Sequence, residues 1–288
     1  MPSNLTKWFL LIPLALIWGS SFILIKRGLL GLSPFELGAL RLTCASTFLI
    51  VIGWRSLLTI PTQKWKYLAL TAACGSFFPA FLFALGQTHI SSTVSAIMNS
   101  LTPLNVLIIG IWAYKIDFKR IQVFGVLIGM IGSCVLILCG SKAVTVEDFS
   151  YVLLVYVACI CYAANINFIK TYLSDLKPLA ISAGNATLML LPALAILFTC
   201  GFFHKLDNDT VLTSAGYIII LGIVGTGVAN ILFFRLIQIS TPVFASAVTY
   251  LIPIVAFGWG VLDGEALNVV QCLGALIVLC GVYLSSKK

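Results

Sequence analysis

The run WFLLIPLALIWGSSFILI, residues 8–25, holds eighteen residues without one ionisable side chain. Crossing the hydrocarbon core of a bilayer takes about 20 predominantly apolar residues. Comparable windows recur at 35–54, 67–87, 92–114, 121–140, 150–169, 178–200, 213–234, 242–262 and 267–285. The 288-residue chain is 60% hydrophobic and 9% charged, whereas soluble domains run near 25% charged. Lipid is therefore the solvent for most of it. A bilayer core offers backbone groups no water to bond, so each window reads as a helix. The sequence thus predicts an all-α integral membrane protein with ten transmembrane helices. Lys26 and Arg27 follow the first window with no small-residue cleavage site, so that window reads as a retained helix rather than a signal peptide.

The charge then orients the chain. With the N-terminus inside, Lys7, Arg55, Lys64, Lys66, Lys115, Lys119, Arg120, Lys170, Lys177, Arg235, Lys287 and Lys288 fall on one side. Only Lys26, Arg27, Lys142 and Lys205 fall on the other, and Arg41 lies within a window. Basic residues favour the cytoplasmic face, so both termini are expected there, in a plasma (cell inner) membrane. This sorting accounts for the net charge of +8 without a nucleic-acid partner. The nine cysteines all lie in apolar windows or at their ends, with no CxxC and no Cys/His ligand spacing. They read as small apolar packing residues, and neither a metal nor a cofactor is expected.

The two halves echo each other. At an offset of 144, Trp18 faces Tyr162, Lys26 faces Lys170 and Pro34 faces Pro178; at 150, Tyr67 faces Tyr217, Gly75 faces Gly225 and Pro103 faces Pro253. After a one-residue slip, Gln122, Gly125 and Gly132 face Gln271, Gly274 and Gly281. The order and near-constant offset mark an internal repeat, with halves at 1–142 and 143–288. Five spans per half is an odd number, so the second half must enter the membrane from the opposite side. Such an inverted repeat is the frame of many secondary transporters, whose substrate site lies between the halves near the midplane.

Trp18-Gly19-Ser20-Ser21-Phe22, followed by Lys26, Pro34 and Arg41, resembles the opening of the drug/metabolite transporter superfamily, in its ten-helix branch of paired EamA domains. The close of the chain is similar too: Pro253, Leu262-Asp263-Gly264-Glu265, Gln271-Cys272-Leu273-Gly274-Ala275-Leu276-Ile277 and Gly281-Val282. The family typically carries an acidic residue after span 4, where this chain has Lys115. The resemblance implies a plasma-membrane carrier, commonly an exporter of amino acids or other small metabolites. Its central cavity would be lined by spans 1, 3, 4, 6, 8 and 9.

Polar residues within spans show which face looks inward. In span 4, Ser92, Ser95, Asn99 and Thr102 recur at steps of three, four and three, one stripe of a helix, and Pro103 follows. Span 9 offers Ser246, Thr249, Tyr250 and Pro253. Pro103 and Pro253 are expected hinges, since a helix-interior proline removes a backbone donor. The flanking spans supply Trp18, Ser21 and Phe22; Phe77, Phe78 and Phe81; Tyr162 and Asn165; Thr226 and Asn230. The amides suit carboxylate, amide or ring-nitrogen groups, and the rings suit a planar substrate. The plain alternative is that the hydroxyls bond their own helices, the asparagines bridge helices and the rings pack.

Arg41 has two readings. It is either an anchor for a substrate carboxylate or phosphate, or an outer-leaflet arginine that reaches headgroups or pairs with Glu36. Its place about 10 Å into span 2 at 1.5 Å per residue favours the second, and its repeat partner is Asn185. Gly125, Gly129 and Gly132 with Gly274 and Gly281 are expected to pack span 5 against span 10; a dimer contact is the alternative, and monomer or homodimer stays open.

No acidic residue or histidine sits at mid-membrane, which points to facilitated diffusion or exchange. No Walker motif is present, nor the paired carboxylates, His–metal cluster or nucleophile–base pair of an intramembrane enzyme. A neutral or zwitterionic metabolite is expected, with amino acids foremost. The alternative within the superfamily is a phosphorylated metabolite or nucleotide sugar, which calls for more cavity cations than Arg41 alone. A passive channel is the remaining rival.

Overall fold

The computed structural model describes residues 4–90, 92–138, 149–262 and 269–287. Lys142, Glu147, Asp148, Asp263, Glu265, Cys139 and Lys288 lie outside the described residues, as does the boundary expected between the halves. Every regular element among the described residues is helical: α1 (Asn4–Gly28), α2 (Pro34–Leu57), α3 (Trp65–Ala72), α4 (Phe78–Gly86), α5 (Ser92–Asn99), α6 (Thr102–Tyr114) and α7 (Arg120–Leu138) come first. The second half holds α8 (Phe149–Tyr172), α9 (Pro178–Thr199), α10 (Asp209–Ile220), α11 (Ala229–Ile239), α12 (Pro242–Ser246), α13 (Val248–Leu262) and α14 (Val269–Ser286).

Among the described residues, six helical runs are long and apolar enough to cross a membrane: Leu5–Gly28, Pro34–Leu57, Thr62–Gly86, Phe149–Tyr172, Pro178–Thr199 and Asp209–Ile239. The other four windows carry, among the described residues, the apolar stretches Thr102–Tyr114, Arg120–Val135, Pro242–Val255 and Leu273–Ser286. The window at 92–114 is broken between Asn99 and Thr102. Pro103 lies in the first turn of α6, where its missing N–H has no partner to lose, so it starts a helix rather than kinking one. Pro253 sits inside α13, which stays helical through it; the turn in this region falls earlier, at Ala247.

Two runs change pitch midway. Ala73–Phe77 joins α3 to α4, and Leu221–Val228 joins α10 to α11, as π-helix. The first segment lies within the second when shifted by the repeat offset of 150. Such wide turns inside α-helices are frequent at functional sites.

α2 packs along α9, and α7 along α14. The glycine stripe expected to join spans 5 and 10 does so: a Cβ built on Gly281 would lie 2.3 Å from the Gly129 nitrogen, so only glycine permits this backbone approach. Apolar clusters fill both ends of the bundle, one around Leu11, Leu14, Leu68 and Leu236 and the other around Leu37, Leu42, Leu197 and Ile218. Side chains such as Phe9, Trp112 and Leu191 stand exposed on the outside. An apolar outer surface of this extent fits lipid, not water.

Candidate functional site

Between the two end clusters lies a cavity of about 890 Å³, its open mouth included. Trp18, Ser21, Phe22 and Ile25 reach it from α1, Arg41 and Leu42 from α2, Gly75 and Ser76 from the first π segment, and Phe83 from α4. Asn99 and Thr102 flank the break between α5 and α6; Tyr162, Asn165 and Ile166 come from α8. Gly225 and Thr226 from the second π segment, Asn230 and Phe233 from α11, and Thr249 and Ile252 from α13 complete it.

The π segments position the polar groups. The Trp18 indole Nε1–H donates to the Gly225 carbonyl at 2.9 Å, and the Trp18 ring meets Phe233 edge-on at 4.8 Å. One residue on, Thr226 Oγ1 accepts from Arg41 Nε at 2.7 Å. In the first segment, Gly75 lets the Asn165 amide lie flat on the backbone: a Cβ there would stand 2.5 Å from Asn165 Nδ2. Ser76 Oγ accepts from Asn230 Nδ2 at 3.3 Å. Thr102 Oγ1 donates to Asn99 Oδ1 at 3.4 Å. Asn165 Oδ1 is buried without a hydrogen-bond partner, the kind of group that calls for a ligand or water. Ser21 bonds the Ile17 carbonyl of its own helix at 3.0 Å, as the plain reading of span hydroxyls has it. Phe22 and Tyr162 bracket Phe83, with ring centroids 6.2 and 5.9 Å from it.

The structure thus brings together Trp18, Ser21, Phe22, Asn99, Thr102, Tyr162, Asn165, Thr226, Asn230 and Thr249, with Arg41. It leaves out Phe77, Phe78, Phe81, Ser95 and Tyr250. Phe78 faces outward, and Phe81 packs on Gly38 of α2. Ser76 and Phe83, seven residues apart, share a helical face, so Phe83 takes the inward place. Ser95 is fully buried away from the cavity. Tyr250 follows Thr249 by one residue, about 100° around the helix; its ring lies on Gly129 and its hydroxyl donates to the Val126 carbonyl at 2.8 Å. It joins α13 to α7.

Arg41 corrects the sequence reading most. Glu36, its expected partner, is buried in a capping box with Ser33 and forms an ion pair with Lys205 at 2.7 Å. Arg41 turns the other way, into the cavity, the less favoured of its two sequence readings. Among the described residues, no carboxylate belongs to the lining.

The residues missed had a signal in the repeat. At an offset of 144, Trp18, Ser21 and Phe22 pair with Tyr162, Asn165 and Ile166; at 150, Gly75, Ser76, Phe83, Asn99 and Thr102 pair with Gly225, Thr226, Phe233, Thr249 and Ile252. Both members of every pair line the cavity. Applying the offset to Thr226 points to Ser76, although it leaves open which helical face looks inward. The unpaired remainder is Ile25, Arg41 and Leu42 from the first half and Asn230 from the second.

A model of the EamA-like transporter family matches this chain twice, over 6–138 and 149–287. The chain belongs to that family. Over 295 residues it is 28% identical to a protein of Archaeoglobus fulgidus named an uncharacterized transporter, covering 98% of this chain and 99% of that one. Over 287 residues it is 24% identical to a Salmonella typhimurium protein named a probable amino-acid metabolite efflux pump, covering 96% and 93%. A solved protein crystal structure matches it with a TM-score of 0.77 over 99% of this chain and 97% of that one, at 16% identity, a likeness of fold alone. This EamA-like transporter is therefore a multi-pass, all-helical membrane protein whose cavity draws on both family-matched segments.

Proposed function

We propose that this EamA-like transporter is a secondary carrier that moves a small zwitterionic metabolite, an amino acid, out of the cell by alternating access. The observation that carries the reading is the central cavity, shared between two repeat-related sets of side chains and set between packed apolar clusters. A site between repeats is where a rocking carrier holds its cargo. The amino-acid assignment takes support from the name of the Salmonella typhimurium relative and from a lining of amides, hydroxyls, rings and one guanidinium. A phosphorylated substrate calls for more cations than Arg41.

In this reading the described helices belong to ten spans, arranged as two inverted halves of five at 1–142 and 143–288. The protein resides in the plasma membrane with both termini cytoplasmic. Asn99, Thr102, Tyr162, Asn165, Thr226, Asn230 and Thr249, with Trp18, Ser21 and Phe22, contact the substrate.

Counterflow in proteoliposomes tests this. Vesicles loaded with unlabelled amino acid should transiently accumulate the labelled compound without an ion gradient. A saturable signal separates a carrier from a channel, whereas flux that only equilibrates and never overshoots rejects the carrier.

A further inference from the structure

Apart from Asn230, the asymmetry of the cavity lies with three residues of α1 and α2. Ile25, Arg41 and Leu42 line it, while their counterparts 144 residues on, Ile169, Asn185 and Ala186, do not. Asn185 is 2% exposed, and its Oδ1 accepts from Thr71 Oγ1 at 2.9 Å. α2 and α9 are thus the same repeat element in two settings, one opened onto the cavity and one sealed. Arg41 fills the open setting, where its guanidinium donates one hydrogen bond to the neutral Thr226. Both ion pairs among the described residues lie elsewhere, Lys64 with Asp175 and Lys205 with Glu36.

An inverted carrier reaches its opposite-facing state when its halves exchange roles about the central site. That exchange moves position 41 into the sealed setting that Asn185 occupies here. Asparagine is uncharged, so burying it there costs far less than burying a guanidinium. An arginine buried there without an anion is strongly destabilised. We propose that Arg41 anchors the carboxylate of the transported molecule, and that burying this guanidinium only with its bound anion makes the protein an obligatory exchanger. The substrate class follows from the same lining. Trp18, Phe22, Phe83 and Phe233 accept an apolar body, and the unpartnered Asn165 Oδ1 accepts an ammonium proton. An aromatic or large aliphatic amino acid meets all three demands. This inference rests on the carrier reading, and the inverted halves are part of it.

The test uses purified full-length protein in proteoliposomes, with phenylalanine, phenylalaninamide and phenethylamine as probes. Binding is read separately from transport by ligand-induced thermal stabilisation in detergent. Wild-type protein should bind and exchange phenylalanine but neither carboxylate-free probe, and exchange should outrun net efflux into amino-acid-free buffer by about a hundredfold. Arg41→Gln should raise the phenylalanine KM by about thirtyfold, lose the discrimination against the amide, and bring net efflux level with exchange. Arg41→Lys should restore part of both preferences. Wild-type discrimination needs no variant, so the carboxylate requirement stays testable if Arg41→Gln does not fold; equal binding of phenylalanine and its amide overturns the anchor. An unchanged ratio of exchange to net efflux in folded Arg41→Gln overturns the coupling. Binding of phenylalanine without transport refutes the carrier reading and leaves the anchor standing. No binding of any probe rejects the proposed substrate class.

Discussion

α2 and α9 pack along each other and occupy matching places in the two halves, yet they are finished differently. α2 begins with Ser33 in a capping box with Glu36 and continues to Arg41 at the cavity. α9 begins at Lys177 with no side-chain cap and continues to Asn185 in the packed interior. Proline opens both helices, so the backbone plan is shared and the side chains diverge. The difference teaches that a repeated scaffold carries its specificity in the few positions where the repeat is broken.

The largest effect is expected where the repeat is exact, at the two π-segment glycines. Gly75→Val drives a side chain into the Asn165 amide, and overpacking of this kind costs about 1–3 kcal/mol; the thermal midpoint should fall and substrate binding should be lost. Gly225→Ala meets the flexible end of Leu221 at 2.8 Å and Ser21 Oγ at 3.3 Å, so its loss should be clearly smaller. Equal losses would mean that the two π segments do the same job.

Next is the α2–α9 contrast itself. Asn185→Leu removes the bond from Thr71, whose hydroxyl keeps the Leu68 carbonyl as partner, so stability should fall by about 1 kcal/mol while substrate KM stays within about twofold of wild type. A large KM change with unchanged stability would place Asn185 at the substrate instead.

The caps give a smaller contrast. Ser33→Ala removes an N-cap worth about 1 kcal/mol, and Lys177→Ala should change stability by less than half of that, both read by thermal unfolding in one detergent. The smallest effect lies at the loop between α8 and α9. Lys64 donates to the Asp175 carboxylate at 2.8 Å and holds its pKa below the ordinary aspartate value. The folded state thus favours the carboxylate. Its contribution is complete above the unfolded pKa of about 4 and disappears as pH falls through the lowered folded value. Asp175 is 60% exposed, so the contribution stays below about 1 kcal/mol. Asp175→Asn should flatten the stability profile only below about pH 4.

Much of the frame was legible along the chain. Residues 8–25 show that the solvent is lipid, because apolar length is a local property. The pairs Trp18 with Tyr162, Gly75 with Gly225 and Pro103 with Pro253 show the repeat, and all three pairs lie at or beside the cavity. The rings of span 3 did not by themselves show the inward face, which Phe83 takes rather than Phe81. Helical spacing failed at Tyr250, which shares a segment with Thr249 but not a face.

Arg41 marks the boundary between the two kinds of information. By itself the sequence determined that an arginine lies about 10 Å inside an apolar helix and that its counterpart is Asn185, because hydropathy and repeat offset are carried by residue identity and spacing. Only the tertiary structure decided that Glu36 is taken by Lys205, that Thr226 receives Arg41, and that one member of the pair opens onto the cavity while the other is sealed. Those outcomes depend on helix rotation and on which distant helix comes within hydrogen-bond reach, both set by packing between segments far apart in the chain.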